Sequence, residues 1–483
     1  ESMASTTKRH ASRLSARAGA DAEGRLRFFA LDGAFDTGAY ASWGPTVAGR
    51  VPVHAPGPYR VPAVRAEARA WLTNAPPAGA FRGFGVPQAA LAHETLMDDL
   101  ALTLRLDRLE FRRRNALRVG DLTPSGQRLA ASVGLVPCLD ALEPHWRKLL
   151  RRAADFNENN KQSRQGVGIG CMWYGIGNTG MAHPSTVRLG LHRDGRLILF
   201  NGAVDIGQGS NTILAQIAAD ALGVPVEAIE VVMGDTDRTA DAGKTSASRQ
   251  TFVSGKAAEL AGQDLRMQIL RRANAGDGAR LKLDIDAIEV ADGGIRHRID
   301  LGALEADVEG CVLLGEGRFD PPASPLDPDG QGAPYATYAF GAQIARVEVD
   351  LELGTTRVLD VIAAHDVGRA INPQQVEGQI EGGILQGLGF ALMEEYLPGR
   401  TQNLHDYLIP TVGDVPRIEV LLIEDPEPLG PSGAKGVGEP GLIPTAPAIL
   451  GAIRDATGVR MTRVPVLPHR LHAALREHEA RHG

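Results

Sequence analysis

Cysteine is scarce in this sequence, and the scarcity excludes several kinds of site. Three cysteines, Cys138, Cys171 and Cys311, occur among 483 residues and lie far apart, without a CxxC pair. A disulfide framework, a zinc ribbon and a four-thiolate iron–sulfur cluster all need cysteines in greater number or closer spacing. We therefore expect none of these three structures to be built by this chain alone.

Positive charge and long apolar runs are also in short supply. The 58 aspartates and glutamates outnumber the 51 lysines and arginines, for a formal net charge of −7, which argues against a protein that binds nucleic-acid phosphates. No uncharged apolar run approaches the roughly 18 residues of a membrane span. The sequence opens on Glu1, and no apolar segment of a secretion signal follows it. We expect a cytoplasmic chain that was processed or is one piece of a longer polypeptide.

The chain is long enough for two to four domains at about 150 residues each, and it mixes strand and helix patterns. A polar stretch over residues 155–165 is the best candidate linker. Apolar alternation predicts one hairpin around Asp194-Gly195 and another around Gly354-Thr355. These features predict the α+β class, with mixed sheets and helices in two domains, 1–160 and 161–483.

Caps and stops predict several element boundaries. Asn211 is predicted to cap a helix that ends at Gly223, and a buried strand is predicted over residues 229–233. A long helix is predicted over residues 373–395, with proline in its first turn. Thr445 is predicted to cap a later helix.

Glycine is abundant, at 57 residues against a typical share of about 7%, and it gathers in short loops. Of five candidate loops, four contain glycine, and the third is a polar, hydroxyl-rich run without it. The loops cover residues 80–85, 206–209, 244–251, 382–389 and 433–440. Each has an ordinary explanation when read alone, such as a tight turn, a solvated surface or close helix packing. The second loop is not GxGxxG and lacks the Walker lysine, so it is a weak nucleotide signal.

The fifth loop carries the sharpest candidate, Glu439, which stands between Gly438 and Pro440. A glutamate held in an apolar loop has a raised pKa, which suits a general base near neutral pH. The alternative is that Glu439 caps the following turn. Lys435, in the same loop, draws attention because lysine is rare in this chain.

Taken in order, these segments resemble the molybdenum-binding subunit of the xanthine dehydrogenase / aldehyde oxidase family. The matching stretches are AFRGFGVPQ at 80–88, GQG at 207–209, TSAS at 245–248, 379–389, and GVGEP at 436–440, with 366–373 and 1–10 also similar. The family's subunit normally begins a few hundred residues earlier. The resemblance therefore implies that 1–160 is the C-terminal part of a first molybdopterin-binding domain, which is incomplete, and that 161–483 is the second.

The resemblance also implies roles for individual residues. It places the general base at Glu439. It places cofactor contacts at Arg82, Gly207, Gln208, Gly209, Thr245, Ser246, Ala247, Ser248 and Gln386. Substrate contacts fall on Phe84, which would stack on a ring, and on Arg50, with His54 four residues further on. In this family the pterin dithiolene holds the molybdenum, so no protein metal ligand is expected.

The implied function is hydroxylation of an electron-poor carbon in a nitrogen heteroaromatic, purine- or nicotinate-like, with water as the oxygen source. Arg50 favours this function because a fixed cation stabilises negative charge that builds on the ring. Oxidation of an aldehyde to a carboxylic acid at the same site is one alternative, and a non-catalytic subunit is another. Trp173 and Tyr174 are candidate pocket residues and equally good core aromatics.

Cofactors and partners follow from the same resemblance. The chain would share in binding a molybdenum–molybdopterin cofactor, with the cytosine dinucleotide as one form of the pterin. Iron–sulfur clusters and FAD would lie on partner chains, which pass the electrons onward. We therefore expect a heteromeric complex with an iron–sulfur subunit, a flavin subunit and a chain or segment that carries the rest of the molybdenum subunit, and neither nucleic acid nor a membrane span.

Overall fold

The computed structural model describes residues 2–482, so that Glu1 of the 1–10 stretch and Gly483 lie outside it. The N-terminal part contains three strands and five helices. In chain order these are α1 (Ser2–Ser5), β1 (Ala11–Ala20), β2 (Leu26–Gly38), α2 (Gly44–His54), β3 (Ala63–Leu72), α3 (Val86–Thr103), α4 (Arg108–Asn115) and α5 (Leu135–Asn159).

The three N-terminal strands form one sheet, in which β1 and β2 are antiparallel and β2 and β3 are parallel. Alternate residues of a strand point to opposite faces, and in β2 Phe29, Leu31 and Phe35 lie on the buried face. They pack against Ala48 and Val51 of α2, the helix that connects the two parallel strands. This packing places α2, which carries Arg50, over the sheet.

The rest of the chain forms three further sheets and their covering helices. Its elements are β4 (Ser163–Gly175), β5 (Ser185–His192), β6 (Leu197–Asn201), α6 (Ser210–Leu222), β7 (Ile229–Met233), α7 (Gly255–Ala273), β8 (Arg280–Leu283), β9 (Ala287–Asp292), β10 (Ile295–Asp300), β11 (Cys311–Phe319), β12 (Tyr338–Asp350), β13 (Thr356–Asp366), α8 (Pro373–Leu392), β14 (Arg417–Ile423), α9 (Thr445–Thr457) and α10 (Pro468–His482). A π-helical segment, Gln250–Ser254, leads into α7.

Two four-stranded sheets carry the second part, in the orders β14-β13-β12-β4 and β11-β5-β6-β7, beside a small sheet β10-β9-β8. Helix α9 lies directly on strand β4. Glycine is required there, because a Cβ at Gly168 would lie 2.1 Å from the carbonyl oxygen of Ala448 on α9. Close packing of this kind holds β4, whose last residues reach the candidate site.

The α+β class and both hairpins are confirmed, whereas several boundaries are wrong. Helix α6 begins at Ser210 after Gly209 in a left-handed conformation, so Asn211 is inside the helix and does not cap it. Thr445 is likewise inside α9, where its hydroxyl donates to Gln343. Strand β7 is a half-buried edge strand and not a buried one, and α8 ends at Leu392, before residue 395.

The polar stretch at 155–165 is not a linker. Residues 155–159 form the last turn of α5 and β4 begins at residue 163, so only 160–162 lie between them. The division into 1–160 and 161–483 stays a prediction.

Within residues 2–482, no helix is both long and apolar enough to span a membrane. All three cysteines are buried, and none forms a disulfide within this part of the chain.

Candidate active site

Glu439 lies where three distant segments of the chain meet. Its Oε1 accepts a hydrogen bond from the backbone N–H of Gly83 at 3.4 Å. Its Oε2 accepts from the hydroxyl of Ser248 at 3.3 Å and from the hydroxyl of Tyr174. The side chain is half-buried. The structure therefore brings together the loops at 80–85, 244–251 and 433–440.

The Ser248 loop and the Glu439 loop are in direct backbone contact. The N–H of Glu439 donates to Oγ of Ser248 at 3.0 Å, and a Cβ at Gly436 would lie 1.7 Å from the carbonyl oxygen of Ser248. Ala247 and Ser248 both have positive φ, at 55° and 54°. Left-handed backbone outside glycine costs free energy and persists only where the surrounding structure imposes it.

The surroundings of Glu439 favour its protonated form. Burial raises the pKa of the carboxyl above its usual value, and this effect exceeds the opposing influence of Arg50, the Gly83 N–H, Arg82 and Arg9. A carboxylate with a raised pKa is a better proton acceptor near neutral pH than an exposed one. The predicted turn cap is not seen, because Glu439 makes no side-chain cap bond to the short 3₁₀ turn that follows.

Arg82 ties the first loop to helix α8 and to the loop of Glu439. Its Nε donates to the carbonyl oxygen of Gly438 at 2.5 Å, and its Nη1 donates to Oε1 of Gln386 at 3.3 Å. Its Nη2 donates to the carbonyl oxygen of Gln379 at 2.9 Å. Gln379 was not among the predicted site residues. Its spacing of seven from Gln386, which places both on one helix face, is the signal that could have identified it.

Phe84 is held in an unusual backbone conformation. It has φ 48° between Gly83 at 90° and Gly85 at 88°, and a Cβ at Gly85 would lie 2.7 Å from the carbonyl oxygen of Val47 in α2. Glycine is therefore needed where the loop passes closely over α2. The Phe84 ring lies at 6.4 Å from the ring of Trp43, edge to face, and beside Arg50.

Arg50 is 2% exposed and is held at the end of strand β4. Its Nη groups donate to the carbonyl oxygens of Gly175 and Gly177, and its Cζ lies 4.1 Å from the centroid of Tyr174 and 6.0 Å from that of Phe84. Its Nε has no hydrogen-bond partner among residues 2–482. The cation is thus near Glu439 and Phe84, with both Nη groups occupied by the protein.

His54 lies next to Arg50 and has a structural role. Burial lowers its pKa well below the usual value, and the charge of Arg50 adds to this effect. The imidazole is therefore neutral, and its Nε2 accepts from the N–H of Gly175 at 3.0 Å. His54 helps to hold the end of β4 that binds Arg50.

The GQG loop at 207–209 is arranged around an aspartate that the sequence analysis missed. Asp205 accepts from the N–H groups of Gly207 at 2.8 Å, Gly209 at 3.3 Å and Asn211 at 3.2 Å. Burial acts to raise its pKa, but these backbone donors outweigh it and the pKa is lowered. An acidic side chain just before a helix is a known N-terminal signal, and that pattern was available in the sequence.

Gln208 is occupied within its own loop. Its Oε1 accepts from the N–H of Ile206 at 2.7 Å, and its Nε2 donates to the carbonyl oxygen of Val204 at 3.2 Å. The hydroxyl of Thr245 donates to the same carbonyl at 2.9 Å. The segment of the GQG loop therefore contacts Thr245, the first residue of the 245–248 loop, whereas Glu439 contacts Ser248, the last residue of that loop. Ser246, between them, is exposed.

Lys435 has a structural partner. Its Nζ pairs with Oδ2 of Asp366 at 2.6 Å and donates to the carbonyl oxygen of Ser132 at 2.8 Å, and both charged side chains are fully buried. The rare lysine therefore anchors the base of the Glu439 loop to strand β13 and to the segment before α5.

Comparison with known proteins identifies the family. A family model described as a molybdopterin cofactor-binding domain matches residues 141–416, and a second model with the same description matches residues 1–116. The chain belongs to the xanthine dehydrogenase / aldehyde oxidase family of molybdenum-binding subunits. Its two family matches follow each other along the chain, in agreement with the predicted pair of molybdopterin-binding domains.

Individual relatives agree with this assignment. The chain is 33% identical to a xanthine dehydrogenase molybdenum-binding subunit of Escherichia coli, over 98% of this chain and 63% of the relative. It is 31% identical to the nicotine 6-hydroxylase large subunit of Paenarthrobacter nicotinovorans, over 94% and 58%. The fold superposes on aldehyde oxidoreductase from Desulfovibrio desulfuricans with TM-score 0.87 and 30% identity, over 98% and 50%. The chain therefore spans between half and two thirds of the length of these proteins.

The residues around the GQG loop fit a group of the pterin kind. Two buried amide oxygens, Oδ1 of Asn211 and Oε1 of Gln375, have no hydrogen-bond donor among residues 2–482. Both lie beside the loop, since a Cβ at Gly209 would be 2.9 Å from Oε1 of Gln375. A buried acceptor without a partner is costly, and the N–H groups of a pterin ring would supply donors. No His, Cys, Asp or Glu cluster able to hold a metal ion occurs in this part of the chain or elsewhere in residues 2–482.

Proposed function

We propose that this family member is part of a molybdenum hydroxylase that adds oxygen from water to an electron-poor carbon of a nitrogen heteroaromatic. The observation that carries the proposal is the carboxyl of Glu439, which has a raised pKa and lies between the Arg82 loop and the Ser248 loop. The names of the relatives, a xanthine dehydrogenase subunit and a nicotine hydroxylase subunit, support the same class of substrate.

The residues of this chain would have separate roles in binding the cofactor, moving the proton and placing the substrate. Arg82, Gln386 and the residues 207–209 and 245–248 would hold the cofactor. The molybdenum cofactor, when bound, supplies the redox centre that takes up two electrons from the substrate. Glu439 would accept the proton of the attacking water-derived oxygen, and Phe84 would stack on the substrate ring.

Arg50 would act mainly through its charge. Its Nη groups are occupied by two carbonyl oxygens, so only Nε is free for a direct bond. A fixed buried cation still stabilises negative charge that develops on a nearby ring. Oxidation of aldehydes remains the second candidate, because the aldehyde oxidoreductase shares the fold at 30% identity and an aldehyde needs no cation at this position.

We expect Arg50→Met to shift preference from heteroaromatic substrates toward aldehydes. Loss of the cation should raise the barrier for a ring substrate by about 2–4 kcal/mol, the scale of one lost donor to a developing oxyanion. An aldehyde should lose little, because its charge develops elsewhere. The measurement is single-turnover reduction of the assembled complex by a purine, a pyridine and an aldehyde.

Arg266→Met is a matched control for this experiment. Arg266 also donates to backbone carbonyl oxygens, those of Leu222, Asp277 and Ala279, but lies on α7 away from the site. It should leave the ratio of the three rates unchanged. Equal losses for ring and aldehyde substrates in Arg50→Met would show that Arg50 is structural.

The complex itself is part of the proposal. We propose an iron–sulfur subunit, a flavin subunit, and a chain or segment for the remaining length of the relatives, in a cytoplasmic complex, with the domain division near residue 160. The test is to purify this assembly and measure molybdenum per chain together with reduction by the three substrates. A complex that holds stoichiometric molybdenum and is reduced by none of them would favour the non-catalytic alternative.

A further inference from the structure

Tyr174 contacts both residues on which the proposed chemistry depends. Its hydroxyl donates to Oε2 of Glu439, and the face of its ring lies 4.1 Å from Cζ of Arg50. The residue is fully buried near the end of β4. An ordinary core aromatic needs neither of these contacts.

The hydroxyl of Tyr174 is one of three donors to the carboxyl of Glu439. The other two donors are the Ser248 hydroxyl at 3.3 Å and the Gly83 N–H at 3.4 Å, which are long for hydrogen bonds of their types. Tyr174 donates to Oε2, the same oxygen that accepts from Ser248. A hydrogen bond to the ionised form of a carboxyl favours that form, so Tyr174 opposes the effect of burial.

The strand that carries Tyr174 has little freedom to move. Tyr174 pairs with Ala339, and Gly175 pairs with Tyr338, at the end of a long antiparallel ladder with β12. The N–H of Ile176 extends this pairing by donating to the carbonyl oxygen of Thr337 at 3.0 Å. The next residues hold Arg50 through the carbonyl oxygens of Gly175 and Gly177. The end of β4 therefore positions the cation with its backbone and the carboxylate with a side chain.

We propose that Tyr174 is a positioning residue whose hydroxyl orients Oε2 of Glu439 and whose ring orients Arg50, so that both are held by one rigid strand. This inference rests on the proposed function, in which Glu439 is the base. It assigns to Tyr174 a role in setting the pH range of the reaction and the relative placement of base and cation.

Other charged groups around Glu439 are retained when Tyr174 is changed. They are Arg50 on α2, Arg82 in the first loop and Arg9 before β1, whose charges all favour the ionised carboxyl. Arg9 in turn lies near Glu394 and Tyr407. Because these groups stay in place, Tyr174→Phe isolates the effect of a single hydroxyl.

We expect Tyr174→Phe to move the acidic limb of the reductive half-reaction to higher pH by about one unit, with molybdenum content unchanged. The ring of phenylalanine keeps its place on Arg50, so the preference between ring and aldehyde substrates should be retained. Tyr174→Leu, which also removes the ring, should reduce that preference in the same direction as Arg50→Met. Tyr338→Phe is the control, because its hydroxyl donates to Gln127 and not to Glu439.

A second readout does not depend on turnover. Tyrosine absorption changes when a carboxylate that accepts its hydrogen bond takes up a proton. The pH-dependent absorption difference between the wild-type complex and the Tyr174→Phe complex should therefore titrate with the acidic limb. The same difference should be missing when Glu439→Gln is compared with the double variant that carries both Glu439→Gln and Tyr174→Phe. An acidic limb that stays in place in Tyr174→Phe would overturn the inference. A Glu439→Gln variant with normal turnover would instead overturn the proposed function, while the absorption signal still reports the contact.

Discussion

Glu439→Gln should lower the rate of the reductive half-reaction by about 10² to 10⁴, the range for a positioned acid–base group. The amide keeps the shape of the side chain and can still accept hydrogen bonds from Ser248 and Tyr174, which meet Glu439 at Oε2. It cannot accept a proton. The measurement is single-turnover reduction of the assembled complex, with molybdenum determined on the same preparation.

The pH profile gives this prediction a sign. Because burial raises the pKa of Glu439, the wild-type rate should fall as the pH drops through that raised value, where the base becomes protonated. The variant has no such group, so its acidic limb should flatten. A variant whose activity falls only in proportion to its molybdenum content would contradict the assignment of Glu439 as the base.

Glu394→Gln is a matched control, since Glu394 is also half-buried, has a pKa raised by burial and accepts from a tyrosine, Tyr407 at 2.6 Å. Glu394→Gln should change the rate little.

The stability of Glu439→Gln also distinguishes a catalytic base from a structural residue. A carboxyl whose pKa is raised by folding contributes stability at acid pH that is lost as the pH rises through the folded pKa. Glu439→Gln should therefore be no less stable than the wild type at neutral pH.

Lys435→Met should destabilise the folded protein by about 3–5 kcal/mol, the usual result of removing one partner of a buried ion pair. The variant leaves Asp366 fully buried without its cation, although the N–H groups of Gly368 and Gly134 still donate to it. It also removes the contacts through which Lys435 anchors the Glu439 loop to its surroundings. The loss in the free energy of unfolding is measured by chemical denaturation of the complex, with the unfolding of this chain as the signal.

The loss should depend on pH in a defined direction. Burial already raises the pKa of Asp366, with Lys435 opposing the effect, so removal of the lysine raises that pKa further. The deficit is therefore largest at neutral pH and shrinks as the pH falls and Asp366 takes up a proton. The double variant with Asp366→Asn should recover much of the stability, because neither charge then remains.

Lys256→Met is the control for an ion pair of the same type with more solvent access. Lys256 pairs with Glu259 at 2.5 Å, and its side chain is 24% exposed, so the loss should be within about 1 kcal/mol. A Lys435→Met variant as stable as this control would show that the buried pair contributes little to folding.

Local features of this fold were readable from the sequence because they depend on neighbouring residues. The glycine that ends α6 and the turns of both hairpins follow from backbone preferences within a few positions, and the structure confirms them. The family also follows from short motifs, and the family matches and the relatives bear out this assignment.

The partners of polar side chains were not readable in this way. Asn211 and Thr445 have the composition of caps, yet each lies inside its helix, and Asp205 takes the role expected of Asn211. A hydrogen bond forms only when two groups come within about 3 Å. Which groups do so depends on how remote segments pack.

The candidate site is the clearest instance of that dependence. Arg82 and Gly438 are 356 residues apart in the chain, and Tyr174 and Glu439 are 265 apart, yet each pair is hydrogen-bonded. Sequence motifs named Arg82 and Glu439 as site residues but left Tyr174 undecided between a pocket residue and a core aromatic. Its two contacts exist because α9 and β12 hold β4 under α2 and the Glu439 loop, and no local pattern encodes that packing.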